Sequence, residues 1–313
     1  MKVIFGRFQS DRRPECAVTI GVFDGVHQGH RKIIEKTVSA ARAHSCAAWV
    51  ITFDPPPAGV LSPSFPGVLT NTKEKTDILR TLGVDGIWVM DTDRDLLNQS
   101  AADFLGLLAQ KMKMRVLVGG EDFRFGREQL DINTLSGDGS WGFSEVLVVP
   151  KEVYKGNAVS STRIRCCVRE GEFSVAARLM GRPYCLRGPV VPGQGIGRTM
   201  GFPTLNVARG MHVVPSPGVY AAAVGIRSAV YLAGVNVGRG PTHSRGGAPL
   251  KIEAHLIDYP RDAAAPAECS IRFLEKIREE QRFPSRQELA QAIGRDIGTI
   301  RSRYGGEFRA FSP

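Results

Sequence analysis

A ten-residue stretch from Gly21 to His30, GVFDGVHQGH, carries groups suited to phosphate chemistry. It follows an apolar run that predicts a strand, and a helix is predicted to start near His30. A helix N-terminus presents unpaired N–H groups and partial positive charge, and glycines let the backbone approach a phosphate closely. His27 and His30, three residues apart, could stabilise charge that builds up in phosphoryl transfer. The candidate phosphate-binding residues are Gly21, Phe23, Asp24, Gly25, His27 and His30.

This stretch is not a Walker A loop, because GxxxxGK[ST] occurs nowhere in the chain. The alternative is a plain turn with one capping and one surface histidine.

A second glycine-rich segment contains Gly193, Gly195 and Gly197. It is not a dinucleotide-binding fingerprint, since Pro203 follows and no helix is expected there. We expect its backbone N–H groups to cover phosphates.

The first half of the chain must place the Gly21–His30 stretch at the end of a strand. Strand-like and helix-like segments alternate there, which predicts βαβ units and a doubly wound parallel sheet with helices on both faces. Ligands of such sheets lie at the C-terminal ends of the strands. The predicted strands cover 17–23, 47–54, 84–91, 114–120 and 144–150, and the predicted helices cover 29–45, 73–83 and 100–113.

The second half changes to short apolar runs split by Gly and Pro, which predict a small antiparallel barrel. One helix over 285–305 follows, with Ser285 as its N-cap and Glu288 in a capping box. We therefore expect an α/β plus β protein: a parallel-sheet domain over 1–182, then a barrel domain with a C-terminal helix over 183–313.

Composition excludes several classes of protein. The 313 residues contain no apolar run long enough for a transmembrane helix, and the N-terminus lacks a signal-peptide core. The six cysteines have no zinc-binding spacing, so we expect reduced thiols in a cytoplasmic protein. The net charge of +10 suits nucleic acid or small phosphorylated ligands equally, and by itself does not discriminate between them.

The ordered motifs resemble the bacterial bifunctional riboflavin kinase/FAD synthetase family. Four motifs are similar to the nucleotidyltransferase half of that family: GVFDGVHQGH, TFDPPP, VGGEDFRFG and VSSTRIR. Five motifs are similar to its kinase half: GFPTLN, PSPGVY, NVGRGPT, IEAHLID and IREEQRF. The resemblance covers nearly the whole chain in collinear order. It implies that the partners are ATP, riboflavin and FMN, with Mg²⁺ as cofactor and neither nucleic acid nor membrane as partner.

For the first half the resemblance implies adenylyl transfer from ATP to FMN, giving FAD and pyrophosphate. Asp122, Phe123 and Phe125 would lie near the flavin, although the two phenylalanines could equally be core residues of a strand. The triphosphate would be bound by His27 and His30 and, from the other side, by hydroxyl and guanidinium groups, which are natural phosphate donors. These groups belong to Ser160, Ser161, Thr162 and Arg165, and their alternative is a helix N-cap with surface arginines.

For the second half the resemblance implies transfer of the ATP γ-phosphate to the ribityl hydroxyl of riboflavin. Thr204 and Asn206 would help to hold Mg²⁺, which prefers oxygen ligands. Glu253 would be the catalytic base, and its alternative is an exposed glutamate on an edge strand. Arg278 would contact the flavin, and its alternative is a solvated helix arginine.

Some residues depart from the family pattern. Pro56 stands where the family usually has a histidine, which predicts a weaker adenylyl site or another compensating basic group. Leu130 stands where a glycine is common, and the segment after Asp258 lacks the usual Tyr-Gly element. Three alternatives stay open: a single retained activity, with the kinase the one to survive; a basic nucleic-acid-binding protein with a decayed nucleotide site; and an adenylyltransferase for another small molecule.

Overall fold

Six parallel strands form the sheet at the centre of the first part of the chain. The computed structural model describes residues 1–6, 14–135, 141–239, 250–260 and 263–306, and the chain divides into two compact units, Met1–Ser161 and Thr162–Pro313. The sheet strands are β1 (Lys2–Phe5), β2 (Glu15–Ile20), β3 (Ala47–Asp54), β4 (Gly86–Asp91), β5 (Lys113–Gly120) and β8 (Glu145–Val149). Two short hairpins complete the strands of this unit: β6 (Arg124–Phe125) with β7 (Leu130–Asp131), and β9 (Val153–Tyr154) with β10 (Asn157–Ala158).

The strand order β1-β4-β3-β2-β5-β8 confirms the doubly wound parallel sheet. The order reverses at β2, so the sheet has its switch point between β2 and β5, where ligands of such sheets bind. Helices follow the strands, as the alternation predicts. They are α1 (Gln28–Ala43), α2 (Pro57–Leu61), α3 (Thr72–Arg80), α4 (Arg94–Leu97) and α5 (Ala101–Lys111), with a 3₁₀ turn at Ile132–Thr134.

Helices cover both faces of this sheet. The apolar side of α1, including Ile34 and Ala41, packs on one face, and Leu79 of α3 packs on the same side. Phe104 and Leu108 of α5 pack on the other face. The buried strands therefore have apolar residues on both sides, which is why they form near-continuous apolar runs in the sequence.

The predicted strand over 17–23 is too long, because β2 ends at Ile20. Gly21 N–H still donates to the Ile51 carbonyl at 3.0 Å, and the chain then turns. Phe23 has a φ of 49° and Gly25 a φ of 78°, both in the left-handed region that ends a strand. The edge strand β1 was not predicted, since its four residues show no clear alternation of buried and exposed side chains.

The second unit is built around a closed six-stranded barrel, which confirms the predicted antiparallel barrel. The strand order is β11-β12-β15-β14-β13-β16, and every pair is antiparallel. The strands are β11 (Cys185–Val191), β12 (Leu205–Val207), β13 (Gly218–Ile226), β14 (Ala229–Arg239), β15 (Leu250–Leu256) and β16 (Glu268–Arg278). The helices are α6 (Ser161–Glu170), which begins at the last residue of the first unit, α7 (Phe173–Met180), α8 (Ile196–Thr199) and α9 (Arg286–Tyr304).

Helix α9 confirms the predicted C-terminal helix, and the Ser285 side chain caps it by accepting from the Glu288 N–H at 3.2 Å. Its Ile300 packs against Ala221 and Leu232 on the outer face of the barrel. The one-turn helix α8 corrects the expectation that no helix occurs near Gly197. That turn closes because the Gly197 carbonyl accepts from both Met200 and Phe202 N–H groups before Pro203.

Candidate active sites

The Gly21–His30 loop connects β2 to α1 at the switch point of the sheet. His27 is the N-cap of α1, and its Nδ1 accepts a hydrogen bond from the His30 N–H at 3.3 Å. The two imidazoles are stacked, with centroids 3.6 Å apart and an interplanar angle of 18°, and the Phe23 ring meets His30 edge-on. The loop thus brings both candidate histidines together at a helix N-terminus, where a phosphate is stabilised.

Asp24 stabilises this loop from within. Its side chain is 3% exposed, and its carboxylate accepts N–H bonds from Leu69 at 2.8 and 3.0 Å and from Thr70 at 3.1 Å. In return, Gly25 N–H donates to Thr70 Oγ1 at 3.0 Å. The Asp24 carboxylate therefore fixes the loop to the segment before α3, a long-range contact that its sequence neighbours do not reveal.

Ser161 joins the second predicted phosphate motif to the same loop. Its Oγ donates to the Asp24 carbonyl oxygen at 2.8 Å, across 137 residues of sequence. Ser160 is half-buried next to it, and Ser161 begins α6. Thr162 and Arg165 follow in the first turns of that helix, within the second compact unit.

Lys75, on α3, is a residue of this region that sequence reasoning missed. Its side chain is 3% exposed and its Nζ donates to the Val22 carbonyl, to Thr52 Oγ1 and to the Phe53 carbonyl at 2.9–3.1 Å. Burial lowers its pKa from 10.5 to about 8, while the charges of Asp24 and Asp54 oppose this shift. The signal in the sequence is a lysine on the apolar side of an amphipathic helix, one turn before Leu79.

The three candidate flavin residues of the first unit lie in different environments. The Asp122 side chain is 67% exposed and forms an ion pair with Lys151 at 3.7 Å. Phe125 is 6% exposed and belongs to the core cluster that also contains Leu117, with the half-buried Phe123 packed against it. The Phe123 and Phe125 rings lie 5.4 Å apart. Phe125 therefore packs as a core residue, whereas Asp122 is accessible to solvent.

The two departures from the family pattern in this unit have clear local geometry. Leu130 lies in strand β7, opposite Phe125, and the left-handed conformation that glycine favours is adopted instead by Gln129, with a φ of 55°. Pro56 is buried and is the N-cap of α2, where it makes no side-chain hydrogen bond. No donor therefore replaces the histidine at this position itself.

A cavity of about 310 Å³ lies in the second unit, on the outer face of the barrel next to α9. It contains the kinase candidates Gly195, Gly197, Thr204, Asn206, Glu253 and Arg278 among its lining residues. A volume of this size matches the lower end of small-molecule sites.

Strand register aligns three polar side chains along one wall of this cavity. Asn206 of β12 lies opposite Glu253 of β15, and Glu253 lies opposite Asn236 of β14. Directly opposed residues have Cβ atoms about 4.5–5.5 Å apart, so these side chains are neighbours. Ile252 and Ala254 alternate with Glu253 and are buried inside the barrel, which turns Glu253 outward into the cavity. Asn236 was not predicted, although it belongs to a motif that was.

The glycine-rich segment packs closely on the same wall. A Cβ on Gly197 would lie 2.4 Å from the Phe202 backbone carbonyl, so this position requires glycine. A Cβ on Gly193 would lie 2.0 Å from Asn206 Nδ2, so any other residue there would have to displace that amide. His255 Nδ1 donates to the Pro203 carbonyl at 2.8 Å, which fixes the turn before Thr204.

Arg278 lies at the end of strand β16 and is not a solvated helix residue. Its guanidinium makes a two-pronged ion pair with Asp296 of α9, with Nε at 3.0 Å from Oδ1 and Nη2 at 2.8 Å from Oδ2. It also lies over the Phe283 ring, 5.5 Å from the centroid. Asp296 is 9% exposed and lies between Ala292 and Ile300 on the buried face of α9. It was not predicted, because the sequence does not show that Arg278 pairs with it.

Comparison with known proteins accounts for both units. A FAD synthetase family model matches residues 9–163, and a riboflavin kinase family model matches residues 180–304. The bifunctional riboflavin kinase/FMN adenylyltransferase of Escherichia coli K12 is 34% identical over 97% of this chain and 98% of that protein. The corresponding protein of Pseudomonas fluorescens is 32% identical over 93% and 94%.

A solved structure is also similar along the chain. It is described as a macrolide-efflux protein from Streptococcus pneumoniae, with a TM-score of 0.82 and 29% identity over 96% of this chain and 98% of that one. Among the described residues, no helix has the length and apolar character needed to cross a membrane.

The fold, the two sites and these matches define an ATP-dependent transferase that makes flavin nucleotides. The chain belongs to the family of bifunctional riboflavin kinases/FMN adenylyltransferases. It phosphorylates riboflavin to FMN and adenylylates FMN to FAD, so its substrates are ATP, riboflavin and FMN. The comparisons thus favour both activities over a single retained activity, a nucleic-acid-binding protein or an adenylyltransferase for another small molecule.

Proposed function

We propose that the Gly21–His30 loop binds the ATP triphosphate during FMN adenylylation. The observation that carries this assignment is the hydrogen bond from Ser161 Oγ to the Asp24 carbonyl, which joins two separate phosphate motifs. An FMN phosphate oxygen attacks the α-phosphorus of ATP, the bond to the β-phosphate oxygen breaks, and pyrophosphate leaves. His27 and His30 stabilise the charge that develops on the phosphate oxygens.

The remaining candidates of this reaction keep narrower roles. Ser160, Thr162 and Arg165 offer hydroxyl and guanidinium donors for the triphosphate, and Gly21 and Gly25 let the loop turn tightly. We assign Asp24 and Phe23 to support of the loop. Asp122 is the accessible flavin candidate, while Phe123 and Phe125 form the apolar floor beneath it.

We propose that the barrel cavity is the riboflavin kinase site, with Glu253 as general base. The observation that carries this assignment is the row Asn206–Glu253–Asn236 along one cavity wall. Glu253 accepts the proton of the ribityl hydroxyl while that oxygen attacks the γ-phosphorus and ADP leaves. Arg278 presents a preorganised cation to the flavin end of the substrate.

Mg²⁺ fits the donors of this cavity. Thr204 and Asn206 offer neutral oxygens, and among the described residues no group of three or more His, Cys, Asp and Glu side chains could hold a metal ion. Mg²⁺ usually keeps several waters and binds through substrate phosphates, so a site with few protein ligands suits it. When bound, it neutralises charge on the transferred phosphate.

We also propose that the functional boundary lies at 182/183, so that the kinase half begins shortly before β11. The enzyme would act in the cytoplasm, where its free thiols stay reduced.

The adenylyl assignment is tested by His30→Ala in the purified protein. Riboflavin, ATP and Mg²⁺ are supplied, and FMN and FAD are separated by chromatography. We expect FMN to accumulate and FAD formation to fall by roughly 10²-fold, the lower end for loss of one catalytic group. His44→Ala is the matched control, because His44 ends the same helix and pairs with Glu145 away from the loop. Unchanged FAD formation in a folded His30→Ala variant would remove the loop from the mechanism.

A further inference from the structure

The Lys75 ammonium is held by three oxygens that belong to two separate strand ends. The Val22 carbonyl lies just after β2, and Thr52 Oγ1 and the Phe53 carbonyl lie at the end of β3. An ammonium group has three protons, so these three acceptors use all of them. Thr52 Oγ1 also donates to the Val22 carbonyl at 3.0 Å, which closes a small network.

This network fixes the first turn of the Gly21–His30 loop. Val22 is followed by Phe23, whose ring contacts His30, and then by Asp24, whose carbonyl accepts the Ser161 hydrogen bond. Movement of the Val22 carbonyl would therefore move both of the contacts that build the proposed ATP site. A displacement of about 1 Å is enough to lower a catalytic rate strongly.

Burial of an ammonium group costs hydration free energy. An apolar side chain of similar length would pack α3 against the sheet without loss of hydration. The charged groups that face Lys75 are Asp24 from the loop and Asp54 from the end of β3, and both favour its protonated form. Lys75 thus places a positive charge beneath the loop while its hydrogen bonds hold the loop in position.

We propose that Lys75 is a positioning residue for FMN adenylylation, which acts by anchoring the Val22 carbonyl and with it the His27–His30 pair. The proposal rests on the assignment of the ATP site to this loop. Lys75 does not touch the reacting atoms, so its effect on the reaction is indirect.

The test compares Lys75→Met with Lys73→Met in the full chain. Lys73 lies on the same helix, is 74% exposed and pairs only at the surface with Asp77 at 3.1 Å. We expect Lys75→Met to lower the kcat of FAD formation about tenfold or more, the equivalent of one lost charge-assisted hydrogen bond. We expect Lys73→Met to leave it unchanged and FMN formation to continue in both variants, and the Tm of each variant is measured as the control of folding.

A pH profile of the unmodified enzyme gives a second measurement that needs no variant. The pKa of Lys75 is about 8, and the neutral amine above that pH has one donor fewer. We expect the ratio of FAD formation to FMN formation to fall as pH rises through about 8, and to fall less in Lys75→Met, because that variant lacks the amine that loses a donor.

Several outcomes would overturn the proposal. These are equal FAD formation in the two lysine variants, the same pH dependence of the ratio in the unmodified enzyme and in Lys75→Met, or loss of both activities with a lowered Tm in Lys75→Met. If His30→Ala also keeps full FAD formation, the proposed ATP site itself is wrong. If His30→Ala loses it while Lys75→Met does not, only the role of Lys75 is refuted.

Discussion

Glu253→Gln separates the two chemistries most sharply. Glutamine keeps the length and shape of glutamate, so the row with Asn206 and Asn236 stays intact. Its amide cannot accept a proton from the ribityl hydroxyl. The substitution therefore removes the base and leaves the cavity wall in place.

The magnitude follows from what the substitution leaves unchanged. Ile252 and Ala254 still bury inside the barrel and still direct residue 253 into the cavity. Binding of riboflavin should then change little, and the loss should appear in kcat rather than in KM. Removal of a general base typically costs on the order of 10²–10⁴ in rate, or roughly 3–5 kcal/mol of transition-state stabilisation.

The assay is chromatography of flavins after incubation with ATP and Mg²⁺. Starting from riboflavin, Glu253→Gln should form FMN 10²–10⁴-fold more slowly, on the order expected for a lost base. Starting from supplied FMN, it should form FAD at the normal rate. Glu268→Gln is the control, since Glu268 is exposed at the start of β16, outside the set of residues that line the cavity.

Three results would refute this reasoning. A kinase rate close to that of Glu268→Gln would mean that Glu253 is not the base. A change confined to KM would make it a binding residue. Loss of FAD formation from supplied FMN in a folded variant would mean that the two activities share one site, and the two-site assignment would have to be abandoned.

Two further substitutions test the geometry of the sites. Pro56→His introduces the histidine that the family usually has at this position and should raise FAD formation from FMN by about tenfold, as one charge-assisted hydrogen bond allows, with Tm measured because Pro56 is buried. An unchanged rate in folded protein would show that the phosphate contacts have rearranged. Gly193→Ala puts a Cβ 2.0 Å from Asn206 Nδ2 and should lower FMN formation about tenfold by displacing that amide, while FAD formation from FMN continues. Normal FMN formation in Gly193→Ala would exclude Asn206 from the kinase site.

The sequence predicts the regular elements well where the pattern is local. The strand over 47–54 matches β3 at both ends, and the predicted C-terminal helix agrees with α9 to within one residue at each end. Apolar alternation and capping residues determine these elements within a few positions, so neighbours alone are sufficient. The edge strand β1 was missed because its pairing with β4 joins residues more than 80 positions apart.

In the candidate sites, too, the residues within short motifs could be predicted, whereas the residues that act through long-range contacts could not. The loop histidines and Glu253 could be named from motifs, because each lies within a short conspicuous stretch. The supporting residues could not, since Asp24 contacts Leu69 and Lys75 contacts Val22 across 45 and 53 residues. Buried polar groups are recognised by their partners, and these partners appear only when the chain is folded.

The apolar pattern of strand β15 determines the side of the strand on which the Glu253 side chain lies. Side chains alternate strictly along β15, so burial of Ile252 and Ala254 obliges Glu253 to face the cavity. A slip of one residue would bury the carboxylate and expose two apolar side chains, at a cost of several kcal/mol. The direction of Glu253 is therefore fixed by the hydrophobicity of its neighbours along the strand. In the first unit no such alternation exists after β2, and the loop needs the buried Asp24 and Lys75 instead.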